Sequence, residues 1–480
     1  MLRSNYLTNS SISFSVFTEQ QKEEIHNAVL EVLADVGVDV RSEKALGILK
    51  KGGAFVNGYR VKFPPAMVEK AIRSVPSRVT LSNRLGERKV FIGGNTMHFG
   101  PGPTVIYTLD PFTGERRLPK ISDTARAVRV MDALNNIDYL MDFGSPSDVA
   151  PEIMDIHTFK TMAENSVKPI VHWAYNVKNL QAIVDMGIAV RGSMQALQES
   201  PFFAIYTEPI SPLVHEFDAL DICIKMAEYN LPSIYAPIPQ CGVTAPATLV
   251  SSIVLSCCES LSGLVVHQMV REGAPFIMGG VITIMDMLTT QITYGSPEFM
   301  ILSAGLTEMA RFYKIPMFST AGCTDSKCID QQMAAETSNN ILMAALSGAN
   351  LIHDIGYIES GMCTSLLSLV MCDEFIGQAK QIVRGIEVTN RTLAVDVIKN
   401  VGPGGNFMAE DHTAENFKKD WWFPTIYNRK RHDSWEADGK PTMADAALNK
   451  LRKIVDTHQV RPIEASVQSR LDDILKNAGG

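Results

Sequence analysis

Pro-Phe-Ile-Met-Gly-Gly-Val-Ile at Pro275–Ile282, Pro-Met-Phe-Ser-Thr-Ala at Pro316–Ala321 and Asn-Leu-Ile-His-Asp-Ile at Asn350–Ile355 are short apolar runs. Each is entered after Pro or Asn, and enough chain for one amphipathic helix separates one run from the next. Short apolar runs bounded by turn residues read as strands buried on both faces. Working outward, the same texture recurs at Ile137–Phe143, Pro169–Tyr175, Phe202–Glu208 and Ser233–Pro237, and in weaker form at Asn406–Ala409. Eight strand–helix repeats predict a (β/α)8 TIM-type barrel. An open doubly wound sheet is the alternative, but neither glycine-rich phosphate loop that such sheets use is present.

Around this barrel, expected over residues 122–440, the chain has two other regions. Residues 1–121 read as an α+β extension. Thr18 and Gln21 form a capping-box pair, and Ile25, Val29, Val32 and Leu33 follow at helical spacing up to Gly37. A second helix is expected from Ser42 to Lys51, with strands over 53–63 and 78–109. Residues 441–480 read as helices, with Leu448, Leu451 and Ile454 on one side, expected to pack outside the barrel.

Composition narrows the function. Hydrophobic residues at 46% and charged residues at 20% fit a globular chain and argue against disorder. The net charge of -8, with no basic block, argues against a nucleic-acid partner. Eight cysteines are too few for a secreted disulfide framework. Met1 to Phe17 holds no apolar core of leader type, and prolines interrupt the long uncharged run Tyr229–Cys258. A cytoplasmic protein without a membrane span is therefore expected.

Barrel enzymes build their sites where strands end. The aromatics expected there are Trp173, Tyr175, Tyr206, Tyr235 and Tyr357. Aromatic faces attract quaternary ammonium ions, so several of them together suggest a cation cage. Taken singly, each reads as a plug packing the barrel; at least two of the five together read as a cage. Glu208, Asp354 and Glu359 make the expected mouth acidic, which also suits a cation. His353 is the candidate donor to a substrate carboxylate, with Lys327 behind it. Gly279, Gly280 and Gly322 leave room either for a cofactor edge or for close packing. Neither Cys-x-x-Cys nor His-Glu-x-x-His occurs, and no metal site is expected. A zinc site assembled from Cys323, His353 and Glu359 is the metal alternative.

Several stretches together resemble the trimethylamine methyltransferase family of corrinoid-dependent enzymes. They are Ile25–Gly37 with Val40-Arg41-Ser42, Phe99-Gly100-Pro101-Gly102, Ser319-Thr320-Ala321-Gly322-Cys323-Thr324-Asp325-Ser326-Lys327 with Asp330 and Gln332, and Val401-Gly402-Pro403-Gly404-Gly405-Asn406-Phe407. The resemblance implies a barrel that passes a methyl group to cob(I)alamin on a separate small corrinoid protein. Trimethylamine-using members carry pyrrolysine, and this chain uses standard residues only. It is therefore similar to the branch that demethylates quaternary amines such as glycine betaine, proline betaine and carnitine, with glycine betaine the leading expectation. The cobalamin motif Asp-x-His-x-x-Gly is missing; Asp155-Ile-His157-Thr-Phe-Lys160 comes nearest. The resemblance thus implies that no cofactor is bound by this chain itself. It also implies a place in methylotrophic or methanogenic one-carbon metabolism and a homo-oligomer. Trp421-Trp422-Phe423 and the loops after the later strands are candidate edges for the corrinoid partner. The rival expectations are a zinc-dependent corrinoid methyltransferase for methanol or thiols, and a non-catalytic betaine-binding protein.

Overall fold

Seven parallel strands form the heart of the protein, whose computed structural model describes residues 14–479. Neighbour by neighbour they are His98–Phe99, Leu351–His353, Met317–Thr320, Phe276–Gly279, Ser233–Tyr235, Phe203–Thr207 and Ile170–His172. Residues 137–140 close the ring: Ile137 bridges Phe99 and Leu140 bridges Ile170, both in parallel. Eight parallel segments returning on themselves make the expected (β/α)8 barrel.

The ring differs from the expected one at a single place. The eighth segment is His98–Phe99, which precedes the others in sequence, and not Asn406–Ala409. Residues 406–409 form an exposed turn. The barrel thus takes its first strand from within the stretch 1–121.

Alternation along the strands sorts side chains into two shells. Tyr139, Met141, Val171, Ala204, Ile234, Ala236, Ile277, Phe318 and Leu351 meet inside the ring. The hairpin Val79–Ser82/Arg88–Ile92 plugs its amino-terminal end with Val79, Leu81, Val90 and Ile92. Residues of opposite parity, such as Ile205, Tyr235, Met278 and Ile352, face the helices.

The extension begins with Glu19–Asp35, capped by Thr18 and Gln21 as expected. Ser42 caps Glu43–Lys51. A helix that the sequence reading did not assign, Pro65–Ser74, follows. Val38–Val40 pairs in parallel with Val214–His215 from the loop after Phe203–Thr207, which ties the extension to the barrel. Leu249–Val270 is long and apolar enough to cross a bilayer. Here it lies buried among barrel strands and the extension helices. Met443–Thr457 packs outside the ring on Ile121–Ala133 and Leu366–Arg384. Most of the stretch 1–17 read for a leader lies outside the described residues.

Candidate active site

The parity of the barrel interior sets the mouth. Two residues beyond Val171, Ala204, Ile234, Ile277, Phe318 and Leu351 stand Trp173, Tyr206, Ala236, Gly279, Thr320 and His353, which form the uppermost inward layer. Trp173 and Tyr206 place large rings on one side. Ala236 and Gly279 carry almost no side chain on the other. A Cβ on Gly279 would stand 2.6 Å from that of Ala236, so the two strands approach closely there.

A cleft of about 380 Å³ opens beside the large rings, lined by Thr104, Ser145, Trp173, Tyr175, Tyr206, Glu208 and Asp218 among others. Trp173 and Tyr175 meet edge to face with ring centroids 4.6 Å apart. The indole N–H of Trp173 donates to Asp142 Oδ2 at 2.8 Å, and the Thr104 N–H donates to Oδ1 at 3.0 Å. These bonds fix the ring's orientation. Tyr206 packs against the barrel interior and lies nearly parallel to Phe318.

Three carboxyls gather at this level. Burial pushes Asp142 up to about 6 against the pull of the Trp173 and Thr104 donors. Crowding by protein raises Glu208 to about 7; a Tyr206 hydrogen bond opposes the rise and the Asp354 charge adds to it. Glu208 still opens onto the cleft at its surface, so it can meet a ligand. Asp354 accepts from Thr320 Oγ1 at 2.8 Å and sits at a backbone φ of 71°, in the left-handed region. Its other oxygen lies where a Cβ on Gly102 would be, so that glycine admits it. Burial keeps the hydroxyls of Tyr206, Tyr294 and Tyr357 protonated.

The structure therefore brings together Trp173, Tyr175, Tyr206 and Glu208 on one wall, with His353 and Asp354 at the end of a nearby strand. Tyr357 lies behind them, its hydroxyl tied to the Pro103 carbonyl at 2.9 Å. The other expected residues go elsewhere. Tyr235 has the opposite parity. It packs against Gly263 on the helix side and meets His215 Nδ1 at 2.5 Å, so it belongs to no cage. Replacing Tyr235 by Phe is expected to lower stability by roughly 1–3 kcal/mol, because a buried imidazole loses its partner. Ligand affinity should not change, and thermal melting beside calorimetric titration checks both statements.

Glu359 is not free for a substrate cation. It forms a two-pronged ion pair with Arg116 at 2.9 Å, and Arg116 in turn stacks 3.5 Å over Tyr107. Gly280 and Gly322 are close-packing glycines. A Cβ on them would meet Leu306 and Ile355, each at 2.5 Å. His353 donates from Nδ1 to the Ser319 carbonyl at 2.6 Å, and Nε2 faces Asp354 at 3.6 Å. Both ring nitrogens are thus turned to protein groups and not to a substrate carboxylate. Cys323, His353 and Glu359 do not converge; among the described residues no three His, Cys, Asp or Glu side chains gather as metal ligands would.

The rim carries exposed apolar side chains on loops that leave the strands' carboxyl ends. They are Ile106, Ile210, Val243, Met362 and the hairpin tip Met287-Leu288. Trp421-Trp422-Phe423 lies elsewhere. Gln381 and Arg384, at the far end of the helix Leu366–Arg384, bond the backbone of Asp420 and Lys419, and Trp422 approaches Gly377 beside Asn136. That is the amino-terminal end of the strands, so this aromatic segment cannot edge the mouth.

Sequence reading passed over Tyr294 and Thr104 as site residues. Tyr294 lies in the insertion after Phe276–Gly279, within electrostatic reach of Asp354 and Glu208. No spacing signal marks it. Thr104 follows the Gly-Pro-Gly-Pro turn at 100–103, whose tightness was the available clue.

A parallel eight-stranded barrel with an aromatic and anionic mouth defines an enzyme of the class that takes small ligands at its strand ends. More particularly, the chain belongs to the trimethylamine methyltransferase family, whose model matches residues 2–478. A trimethylamine methyltransferase of Desulfitobacterium hafniense (strain DSM 10664 / DCB-2) is 32% identical over 96% of this chain and 93% of its own length. A glycine betaine methyltransferase of Desulfitobacterium hafniense (strain Y51) is 27% identical over 97% of each. The monomethylamine methyltransferase of Methanosarcina barkeri shares the fold with a TM-score of 0.52, over 94% of this chain and 90% of that one, at 12% identity. The chain is thus a methyltransferase of the methylamine type.

Proposed function

We propose that this protein demethylates a quaternary ammonium compound and passes the methyl group to cob(I)alamin carried by a separate small corrinoid protein. The observation that carries the reading is the wall where Trp173, Tyr175 and Tyr206 stand beside the Glu208 carboxyl. Ring faces attract a cation without needing an N–H, and the adjacent carboxylate adds counter-charge. When the partner docks, its cobalt supplies the nucleophile.

The chain's own residues have the remaining work. Trp173, held by Asp142, and Tyr206, held against Phe318, present rigid faces to the ammonium group. Glu208 supplies the counter-charge. The C–N bond breaks with its electron pair left on nitrogen, so the amine departs neutral and no side chain need move a proton. Alignment of the methyl group is then the main task. The open cleft beside Trp173 and Tyr206 is where that methyl would be reached. The apolar rim at Val243 and Met287-Leu288 suits a partner that docks and then leaves.

The test mixes the purified chain, a reduced corrinoid protein and a panel of methylated amines, and follows the cob(I)alamin spectrum. Conversion to the methylcobalamin spectrum with a quaternary compound is the expected result. Conversion with trimethylamine alone, or with methanol or a thiol, sinks the proposal.

A further inference from the structure

The charges around the cleft say more about the substrate than its rings do. Glu208 and Asp218 line it, and neither Lys nor Arg is among its lining residues. Asp142 and Asp354 stand behind that wall. Three cations of the surrounding loops are engaged. Arg116 pairs with Glu359 at 2.9 Å, Arg117 pairs with Asp123 at 2.7 Å, and Lys327 donates to the Asp325 carbonyl at 2.7 Å. The one imidazole at this level, His353, spends its N–H on the Ser319 carbonyl and turns its other nitrogen toward Asp354.

We infer that the cleft selects methylated ammonium compounds whose remaining substituent is uncharged, of the choline or tetramethylammonium kind, and discriminates against zwitterionic betaines. This rests on the quaternary-ammonium reading above and narrows it. In glycine betaine the carboxylate rides two bonds from the nitrogen. Wherever the rings hold the nitrogen, that carboxylate stays within a few ångströms of Glu208. Repulsion between like charges falls only as the inverse of distance and is stronger in a partly dry cleft than in water. No Lys or Arg on the cleft wall offsets it. Choline has nearly the same size and carries a hydroxyl in the carboxylate's place. The hydroxyls of Thr104 and Ser145, both on the cleft wall, are neutral partners for such a group. Glu208 is the specificity-determining residue, because it faces the ligand and makes no ion pair among the described residues.

Calorimetric titration of the full chain with tetramethylammonium, choline and glycine betaine decides the matter without the partner. Choline and tetramethylammonium are expected to bind at least about tenfold more tightly than glycine betaine. Glu208→Gln should narrow that ratio by weakening the first two and sparing the third, whereas Glu208→Asp should keep it. Equal binding of the three, or tighter binding of glycine betaine, overturns the inference. So does a ratio that Glu208→Gln leaves untouched. The turnover assay stands apart: a chain that binds choline tightly yet methylates no corrinoid upholds the charge selection and sinks the catalytic reading.

Discussion

Trp173→Ala is expected to weaken binding of tetramethylammonium by about 2- to 30-fold, the range that roughly 0.5–2 kcal/mol of cation–π attraction gives. It should also lower stability, since Asp142 loses its indole donor and remains buried. Two effects from one substitution need separating, and Trp173→Phe separates them. Phe keeps an aromatic face but brings no N–H. Its affinity should stay near that of the native chain, while its melting temperature falls with that of the alanine variant. Calorimetry and thermal melting on the three proteins give both readouts. Unchanged affinity in Trp173→Ala would remove this ring from the cation site.

The same residue shows what could be read from the sequence. Trp173, Tyr206 and Glu208 were legible as mouth residues because they end apolar runs, and seven of the eight ring members announced themselves in that way. Tyr235 ends a run too, yet faces the helices. Parallel barrel strands are apolar on both faces, so no polar alternation marks which residues point inward. In Ser233-Ile234-Tyr235 all three side chains are buried, and the parity becomes visible only through pairing with Thr207 and Met278. The eighth ring member was hidden for another reason. His98–Phe99 is a two-residue strand running into Gly100-Pro101-Gly102-Pro103, which reads as a turn. Gly100 lies there because Tyr139 from the neighbouring segment fills the space a Cβ would need, at 2.5 Å. That packing is tertiary and leaves no local trace. Glu359 was placed correctly in its loop, but its partner Arg116 lies far away in sequence, so the ion pair that occupies it could not be foreseen.

Ligand affinity is expected to depend on pH in one direction. Glu208, open onto the cleft but crowded by the protein around it, is raised to about 7, and buried Asp142 to about 6. The groups around Glu208 are the Tyr206 hydroxyl, Asp354 and Asp218, with Tyr294 and His353 further along the mouth. None is a fixed cation that would hold the carboxylate charged. Well below about 6 both carboxyls are protonated, and the wall presents its rings without counter-charge. Well above about 7 both are ionised. A cation that binds the ionised form must therefore bind more tightly as pH rises through this window, by up to about tenfold per unit for each proton released. Above the window the affinity should level off, because further ionisation adds nothing until the tyrosines titrate, and burial holds those well above their usual range. Titrating tetramethylammonium calorimetrically in buffers of different ionisation heat measures both the affinity and the proton release. Glu208→Gln should flatten the upper half of the curve and leave the part near 6. A profile that is flat in the native chain, or that rises toward acid, would mean that the charge of neither carboxyl reaches the ligand and that the rings act alone.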